Sequence, residues 1–361
     1  MEFVIFALGL FLSYALIRVT LTVFGIGNPK NLPPGPTPLP IIGNLHLLGD
    51  QPHQSLDKLA KIYGPVMFLK LGSTTALVIS SAAAAKEVLQ KQDLAFSSRH
   101  IPDALTAHNH SSYSVVWLPV ATPWRTLRRI LNTNIFTSHS LDTNQHLRSQ
   151  KVQELVAYCH KASQSGDSVD IGRAAFRTTL NLLSNTIFSK DLTDPYEDSG
   201  KEFKELVRNI MVEGGKPNLV DFFPVLKKID PQGTRKRMTR YFGRAFEMFE
   251  TLIEERSGMN GSRHDDVLDV CLKISQENPD EFNRTHIKSI FLLIPFGAGR
   301  RICPGLSLAI RMLPVMLGSL INNFDWNLDG GLGPEELDMN EKFGITLQKA
   351  NPLCIVPISI K

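Results

Sequence analysis

The feature that most constrains this chain is a loop, Phe296-Gly297-Ala298-Gly299-Arg300-Arg301-Ile302-Cys303-Pro304-Gly305, that runs at once into a long apolar stretch. Three glycines and a proline surround one cysteine, and two arginines precede it. Glycine has no Cβ, so such a backbone can approach a flat ligand closely. Pro304 removes one backbone donor and stiffens the turn. Residues 306–324 read as a helix whose first turn lies just after Cys303. Its positive end, with Arg300 and Arg301, surrounds the sulfur with positive charge, a setting in which a cysteine serves a metal as a thiolate ligand. A buried structural cysteine in a glycine-rich turn is the alternative. Five motif positions within one short loop weigh against it.

The rest of the composition narrows the chemistry. Cys159, Cys271, Cys303 and Cys354 are scattered, with no CxxC pair. That pattern speaks against a disulfide framework or a zinc cage and suits a reducing compartment, leaving Cys303 as a lone thiolate candidate. A net charge of +4 over 361 residues is too small to imply nucleic acid. The densest basic run, Arg235-Lys236-Arg237 with Arg240, reads as a solvated helix face.

Residues 3–17 are almost wholly apolar, and after Arg18 the apolar character resumes through Ile26. That length crosses a bilayer, which takes about 20 residues, and Arg18 lies where its charge can snorkel to the interface. Glu2 precedes the apolar core and no small-residue cleavage site comes after it, unlike a secretory signal. Arg18 and Lys30 lie beyond the core, which places the remainder on the cytosolic side. Residues 32–40, dominated by proline, can be neither helix nor central strand and read as a stiff, extended spacer. Residues 66–69 and 76–79 read as strands joined at Gly72-Ser73, and Ser81 caps a helix running to Gln90. From there to Ile287 the pattern is mostly helical, and residues 260–266 read as a solvated loop. Residues 306–321, apolar on nearly all faces, predict a fully buried helix that Pro314 kinks or deprives of one hydrogen bond. The fold class expected is mainly α with small β-sheets. In Trp124-Arg125-Thr126-Leu127-Arg128-Arg129, Trp124 and Arg128 are four apart and share one helix face, within reach of a common carboxylate.

The cysteine loop resembles the haem-binding loop of cytochromes P450, phenylalanine-x-x-glycine-x-arginine-x-cysteine-x-glycine, matched by Phe296, Gly299, Arg301, Cys303 and Gly305. The resemblance implies that Cys303 is the axial ligand of the haem iron, that Arg301 pairs with a haem propionate, and that Phe296 packs near the sulfur. It makes Gly297, Gly299 and Gly305 part of the cofactor-binding stretch. Trp124 and Arg128 match the family's helix that hydrogen-bonds a propionate. The region 99–121, with His100, Ile101, Leu105, Val115, Val116 and Leu118, corresponds to the loop that covers substrate, and residues 203–223 to a second wall. The proline-rich stretch followed by Ile41-Ile42-Gly43-Asn44 resembles the hinge after the anchor of microsomal members. Residues 343–347 and 353–357 resemble the closing hairpin. Ser97-Ser98-Arg99 and Tyr113-Ser114-Val115-Val116-Trp117-Leu118-Pro119 resemble the plant microsomal group that includes monoterpenol hydroxylases.

The resemblance implies an incomplete P450 fold behind an N-terminal transmembrane helix: a membrane anchor at 3–26, a hinge at 27–44 and a haem domain at 45–361. The implied cofactor is haem b, iron protoporphyrin IX, with NADPH acting through NADPH-cytochrome P450 reductase. The implied substrate is small, apolar and terpenoid-like, and dioxygen is the oxidant. The implied location is the endoplasmic reticulum membrane, single-pass, with membrane lipid as a partner and the haem domain cytosolic.

The resemblance has a hole. Across residues 288–295, what looks like the start of the family's long central helix runs straight into the cysteine loop. The block between them in the family holds the alanine-glycine-x-aspartate-threonine-threonine segment, the glutamate-x-x-arginine pair and the proline-glutamate-arginine-phenylalanine segment. Glu205 and Arg208, and Glu281 and Arg284, match the glutamate-x-x-arginine spelling but lie upstream, where helix-face ion pairs are expected. Without the block, the haem lacks its distal wall and dioxygen its proton supply, so O–O cleavage is uncontrolled. Strands that would pair with residues 66–79 are gone too, leaving an open edge and an apolar surface. Three readings stand: a haem-thiolate monooxygenase; a non-catalytic isoform that binds haem or reductase through Arg125, Arg128 and Arg129; and a non-functional deletion product. The junction favours the second and third.

Overall fold

The computed structural model describes Phe6, residues 9–14, 16–17, 32–193, 201–258, 266–290, 297 and 299–360, and helices dominate. Most of the 3–26 segment and all of the 27–31 stretch therefore lie outside the described residues. Two units are resolved by their internal contacts: Met1–Asp93 with Pro217–Gln232, and Leu94–Lys216 with Gly233–Lys361.

In the first unit, helix α1 (Pro52–Tyr63) opens on a proline, which has no N–H to leave unpaired there, and stops at Gly64, whose φ is 99°. Strands β1 (Val66–Leu71) and β2 (Thr74–Ile79) form an antiparallel hairpin in the register Val66↔Ile79 to Leu71↔Thr74. The turn is Gly72-Ser73, as expected, with Gly72 at φ 59°. The proline-rich stretch lies along β1: the Phe68 N–H donates to the Pro34 carbonyl at 2.9 Å, and a Cβ on Gly35 would lie 2.0 Å from the Phe68 oxygen. Asn44 accepts from the Lys70 N–H at 2.9 Å and donates to the carbonyls of Pro36 and Thr37. The β1 edge expected to lie open is thus partly covered by the chain itself. Ser81 caps α2 (Ala82–Lys86), accepting from the Ala84 N–H at 3.2 Å, and wider π-type turns continue through Glu87–Lys91.

The second unit carries α3 (Thr122–Ile130), α4 (Gln145–Ser165), α5 (Ile171–Phe188), α6 (Lys201–Gly215), α7 (Thr234–Gly258), α8 (Val267–Glu277), α9 (Arg284–Ile290) and α10 (Leu306–Asn323). Met238, Phe242, Ala245, Phe249 and Ile253 recur every three or four residues on α7, so one face is apolar and buried. Ala245, Phe249 and Ile253 pack with Trp124, Leu127 and Ile130 of α3 and with Leu268 and Cys271 of α8. Arg256, near the end of α7, donates to Asp266 (2.9 Å), Asp269 (2.7 Å) and the Phe188 carbonyl (3.0 Å). Asp266 also caps α8, so the last residue of the expected solvated loop is a buried, paired carboxylate; residues 259–265 lie outside the described ones.

A second core joins α4, α5 and α10, the last contributing Leu308, Met312, Met316 and Leu320 at intervals of four. The expectation of a fully buried helix fails here. Ile310, Leu313, Leu317 and Ile321, on the other side of α10, are 63%, 58%, 61% and 61% exposed. The sequence makes the helix apolar all round, but one face alone has a partner among the described residues. By length and composition α10 is the one described helix that could cross a membrane, yet its other face is seated in this core.

The C-terminal strands differ from expectation. Strand β5 (Glu341–Lys342) pairs with β6 (Gln348–Lys349), so residues 343–347 are their connection. Strand β7 (Cys354–Ser359) instead runs between β3 (Val169–Asp170) and β4 (Phe324–Leu328). The physical reason is register: β4 offers β7 a ladder from Phe324↔Ser359 to Leu328↔Ile355, longer than the 343–347 turn can supply. The expected helix-face pair of Glu281 and Arg284 is likewise replaced, because Arg284 reaches Glu250 of α7 at 2.8 Å.

Candidate functional site

The cysteine loop is built from local backbone chemistry. Gly297 and Gly299 both have φ 72°, a conformation costly for residues with a Cβ. A single tight turn, Gly299–Arg301, comes next, and the Ile302 N–H donates to the Gly299 carbonyl at 3.1 Å. Gly305 is the N-cap of α10, with its carbonyl accepting from the Ala309 N–H at 3.1 Å. Cys303 is therefore held just ahead of the helix, half-buried, as the spacing predicts. A Cβ on Gly305 would lie 3.6 Å from the Cys303 sulfur and 3.5 Å from the Phe136 ring, so Phe136 flanks the sulfur there. Phe296 lies outside the described residues.

Helix α3 brings the second set of side chains. Pro123 sits in its first turn, and Trp124, Leu127 and Ile130 point into the core while Arg125 and Arg129 are exposed. The Trp124 indole N–H donates to the Val115 carbonyl at 3.0 Å. The Arg301 guanidinium lies 5.4 Å from the centre of the Trp124 ring. Its Nε donates to the Ser97 carbonyl at 2.5 Å, and its Nη1 to the carbonyls of Val116 (3.1 Å) and Val115 (3.5 Å). Its Nη2 donates to the Leu118 carbonyl.

These groups meet at a partly open cavity of about 30 Å³ lined by Arg99, Val115, Val116, Trp124, Arg128, Arg301, Cys303 and Pro304. Trp124, Arg128, Arg301 and Cys303, named from sequence, thus meet at one place; Gly297, Gly299 and Gly305 act through the backbone of the loop. Arg99 and Phe136 are additions. Arg99 belonged to a segment whose wording was informative, but nothing local marked its side chain as facing Cys303.

No lining side chain of the cavity is acidic. Burial lowers the proton affinity of Arg99, Arg128 and Arg301; the positive charge of Arg99 adds to this at Arg301, whereas Cys303 opposes it at Arg128. The pocket is therefore cationic around one sulfur. Those donor types suit a metal bound through sulfur and carrying anionic side groups. The space does not suit a haem: about 30 Å³ holds one water or two, and the donors of Arg301 and Trp124 are already engaged by main-chain carbonyls. As folded, the residues have the chemistry but not the room. Among the described residues no group of three or more His, Cys, Asp or Glu offers another metal site.

Comparison with known proteins accounts for the pattern. The family model Cytochrome P450 matches this chain in two pieces, residues 33–292 and 278–355, which overlap across 278–292, beside the junction where the block is missing. The chain is 48% identical to a geraniol 8-hydroxylase of Swertia mussotii, over 90% of this chain and 93% of that protein. It is 47% identical to a 7-ethoxycoumarin O-deethylase of Helianthus tuberosus, over 100% of each. A geraniol 8-hydroxylase of Catharanthus roseus is 48% identical over 92% of this chain and 94% of its own length. The Helianthus alignment spans 493 positions against 361 residues here, so at least 132 of them (493 less 361) have no counterpart in this chain. The family uses haem b and receives electrons from NADPH through a reductase. With both ends of the family pattern present and its middle absent, this chain belongs to the cytochrome P450 family.

Proposed function

We propose that this chain is a non-catalytic form of a membrane-anchored haem-thiolate monooxygenase. The reaction from which it derives is hydroxylation of a small apolar, terpenoid-like substrate by dioxygen, with reductase-supplied electrons. Relatives named for geraniol hydroxylation support the substrate class. The observation that carries the non-catalytic reading is the narrow cavity of about 30 Å³ at Cys303, in which the described residues leave no room for a macrocycle between the sulfur and the 97–118 segment. Haem, where bound, would supply oxygen activation, with Cys303 as axial ligand and Trp124, Arg128 and Arg301 toward its propionates; the loop Phe296, Gly297, Gly299 and Gly305 would frame it. As folded, no step of that reaction is available.

On the same reading, residues 3–26 anchor the chain in the endoplasmic reticulum membrane in a single pass, residues 27–44 form the hinge, and residues 45–361 are cytosolic. The exposed helical Phe6, Leu10, Phe11, Leu12, Leu16 and Ile17 support the anchor, because so much apolar surface is costly in water. Arg125 and Arg129, exposed and four apart on α3, present positive charge suited to an acidic reductase surface. They favour a chain that still binds the reductase over one that has lost all interactions.

The test is reconstitution of the full chain in bilayer discs with ferric haem, NADPH-cytochrome P450 reductase, NADPH and geraniol. Neither hydroxylated product nor a thiolate-type carbon monoxide difference spectrum is expected, while the reductase binds. Product formation above the haem-free background overturns the reading. Loss of reductase binding leaves the deletion-product reading in its place.

A further inference from the structure

Arg301 carries five N–H donors in a rigid fork, and among the described residues no carboxylate pairs with it. Its donors go instead to main-chain oxygens of Ser97, Val115, Val116 and Leu118, 183 to 204 positions away in sequence. Trp124 holds the Val115 oxygen from a second direction at 3.0 Å. The segment so gathered has little regular structure of its own. Its tight turns, Asp103–Ser112, are interrupted at Ala107, His108 and Asn109, the last two with φ of 51° and 57°. A segment without a ladder of internal hydrogen bonds depends on side-chain anchors, and bonds from a charged donor are stronger than neutral ones. Arg301 is two positions before Cys303, and both line the same cavity with Val115 and Val116.

We infer that Arg301 is a positioning residue that staples the 97–118 segment over the Cys303 sulfur, making that segment an internal plug that must leave before any macrocyclic ligand reaches the thiol. The inference rests on the reading of the site as too small for a macrocycle, and goes beyond it by naming what fills it. Arginine suits the role because its planar fork serves several carbonyls at once, which a lysine ammonium cannot reproduce.

Thiol accessibility tests it. The full chain in bilayer discs is labelled with a maleimide, and the rate at each cysteine is read by peptide mass spectrometry for the unmodified chain, Arg301→Ala and Arg301→Lys. Cys159 and Cys271 are fully buried, so their silence certifies the fold; Cys354, half-buried on β7, is the reference. Labelling of Cys303 should accelerate on the order of tenfold or more in Arg301→Ala, and by less in Arg301→Lys, with Cys354 unchanged. An unchanged Cys303 rate in a folded variant overturns the inference. Should Arg301→Ala unfold, Arg301→Lys decides on the same criterion. Product formation by the unmodified chain sinks the non-catalytic reading, whereas the labelling rates alone decide the staple.

Discussion

Replacing Leu313 and Leu317 of α10 by glutamine should barely destabilise this protein, whereas the same change in a member with the missing block should be severe. The two leucines are 58% and 61% exposed, so about two fifths of each side chain is covered. Complete burial of a leucine is worth ~1.5–3 kcal/mol, which leaves ~0.6–1.2 kcal/mol at risk per site. Glutamine and leucine are close in helix propensity, so the helix itself loses almost nothing. The double variant should therefore cost about 1–2.5 kcal/mol. Were the face covered, each change would remove a packed side chain and bury an amide without partners, at ~3 kcal/mol or more per site. Urea titration of the full chain in bilayer discs distinguishes the two. Trp117, Trp124 and Trp326 all belong to the second unit, so tryptophan fluorescence reports on the unit that holds α10. A shifted midpoint at unchanged slope gives the difference directly. A combined loss above about 5 kcal/mol would show a covered face and refute the claim that this side of α10 lacks a partner among the described residues. The variant should also aggregate less on concentration, since it removes part of an exposed apolar stripe.

Arg256→Ala should lower the stability of the second unit by ~3–5 kcal/mol in the same titration, because Asp266 would be left buried without its partner. His110 is buried against Phe242, and burial lowers its pKa from 6.5 to about 4. The folded chain thus resists protonation that the unfolded chain accepts, so its contribution is intact above pH 6.5 and is lost as pH falls toward 4. His110→Phe should flatten the pH dependence of the urea midpoint within that window. An unchanged slope there would count against the burial of this ring. Burial raises the pKa of the Glu213 carboxyl, but hydrogen bonds from Arg237 and Lys216 outweigh it and leave the group below 4.5. Glu213 therefore stabilises above pH 4.5 and ceases to do so as the pH falls through its folded value; Glu213→Gln should remove that acid-sensitive part, read by thermal melts between pH 5 and pH 3.

Much of this molecule was legible residue by residue. The β1–β2 hairpin, the Ser81 cap, the start of α10 after Cys303 and the turn glycines depend on φ, capping and alternation, all confined to a few neighbouring positions. Spacing also placed Trp124 and Arg128 on one helix, and the family pattern, with its missing middle, was readable from end to end. Other features depended on partners far along the chain. The same apolar residues in α10 would be core in one context and surface in another, and only the neighbours present decide which. Likewise β7 chose β4 because that strand offered the longer ladder, and Asp266 became a buried carboxylate because Arg256 reached it from another helix.

Arg301 shows where the two kinds of information part. Its position two residues before a cysteine, in a loop that glycine lets turn left-handed, is a property of the sequence. The carbonyls it holds lie nearly two hundred positions away, and no periodicity or propensity links residues so distant. Local chemistry settled which donors this loop would carry; long-range packing settled that they would grip the chain's own backbone.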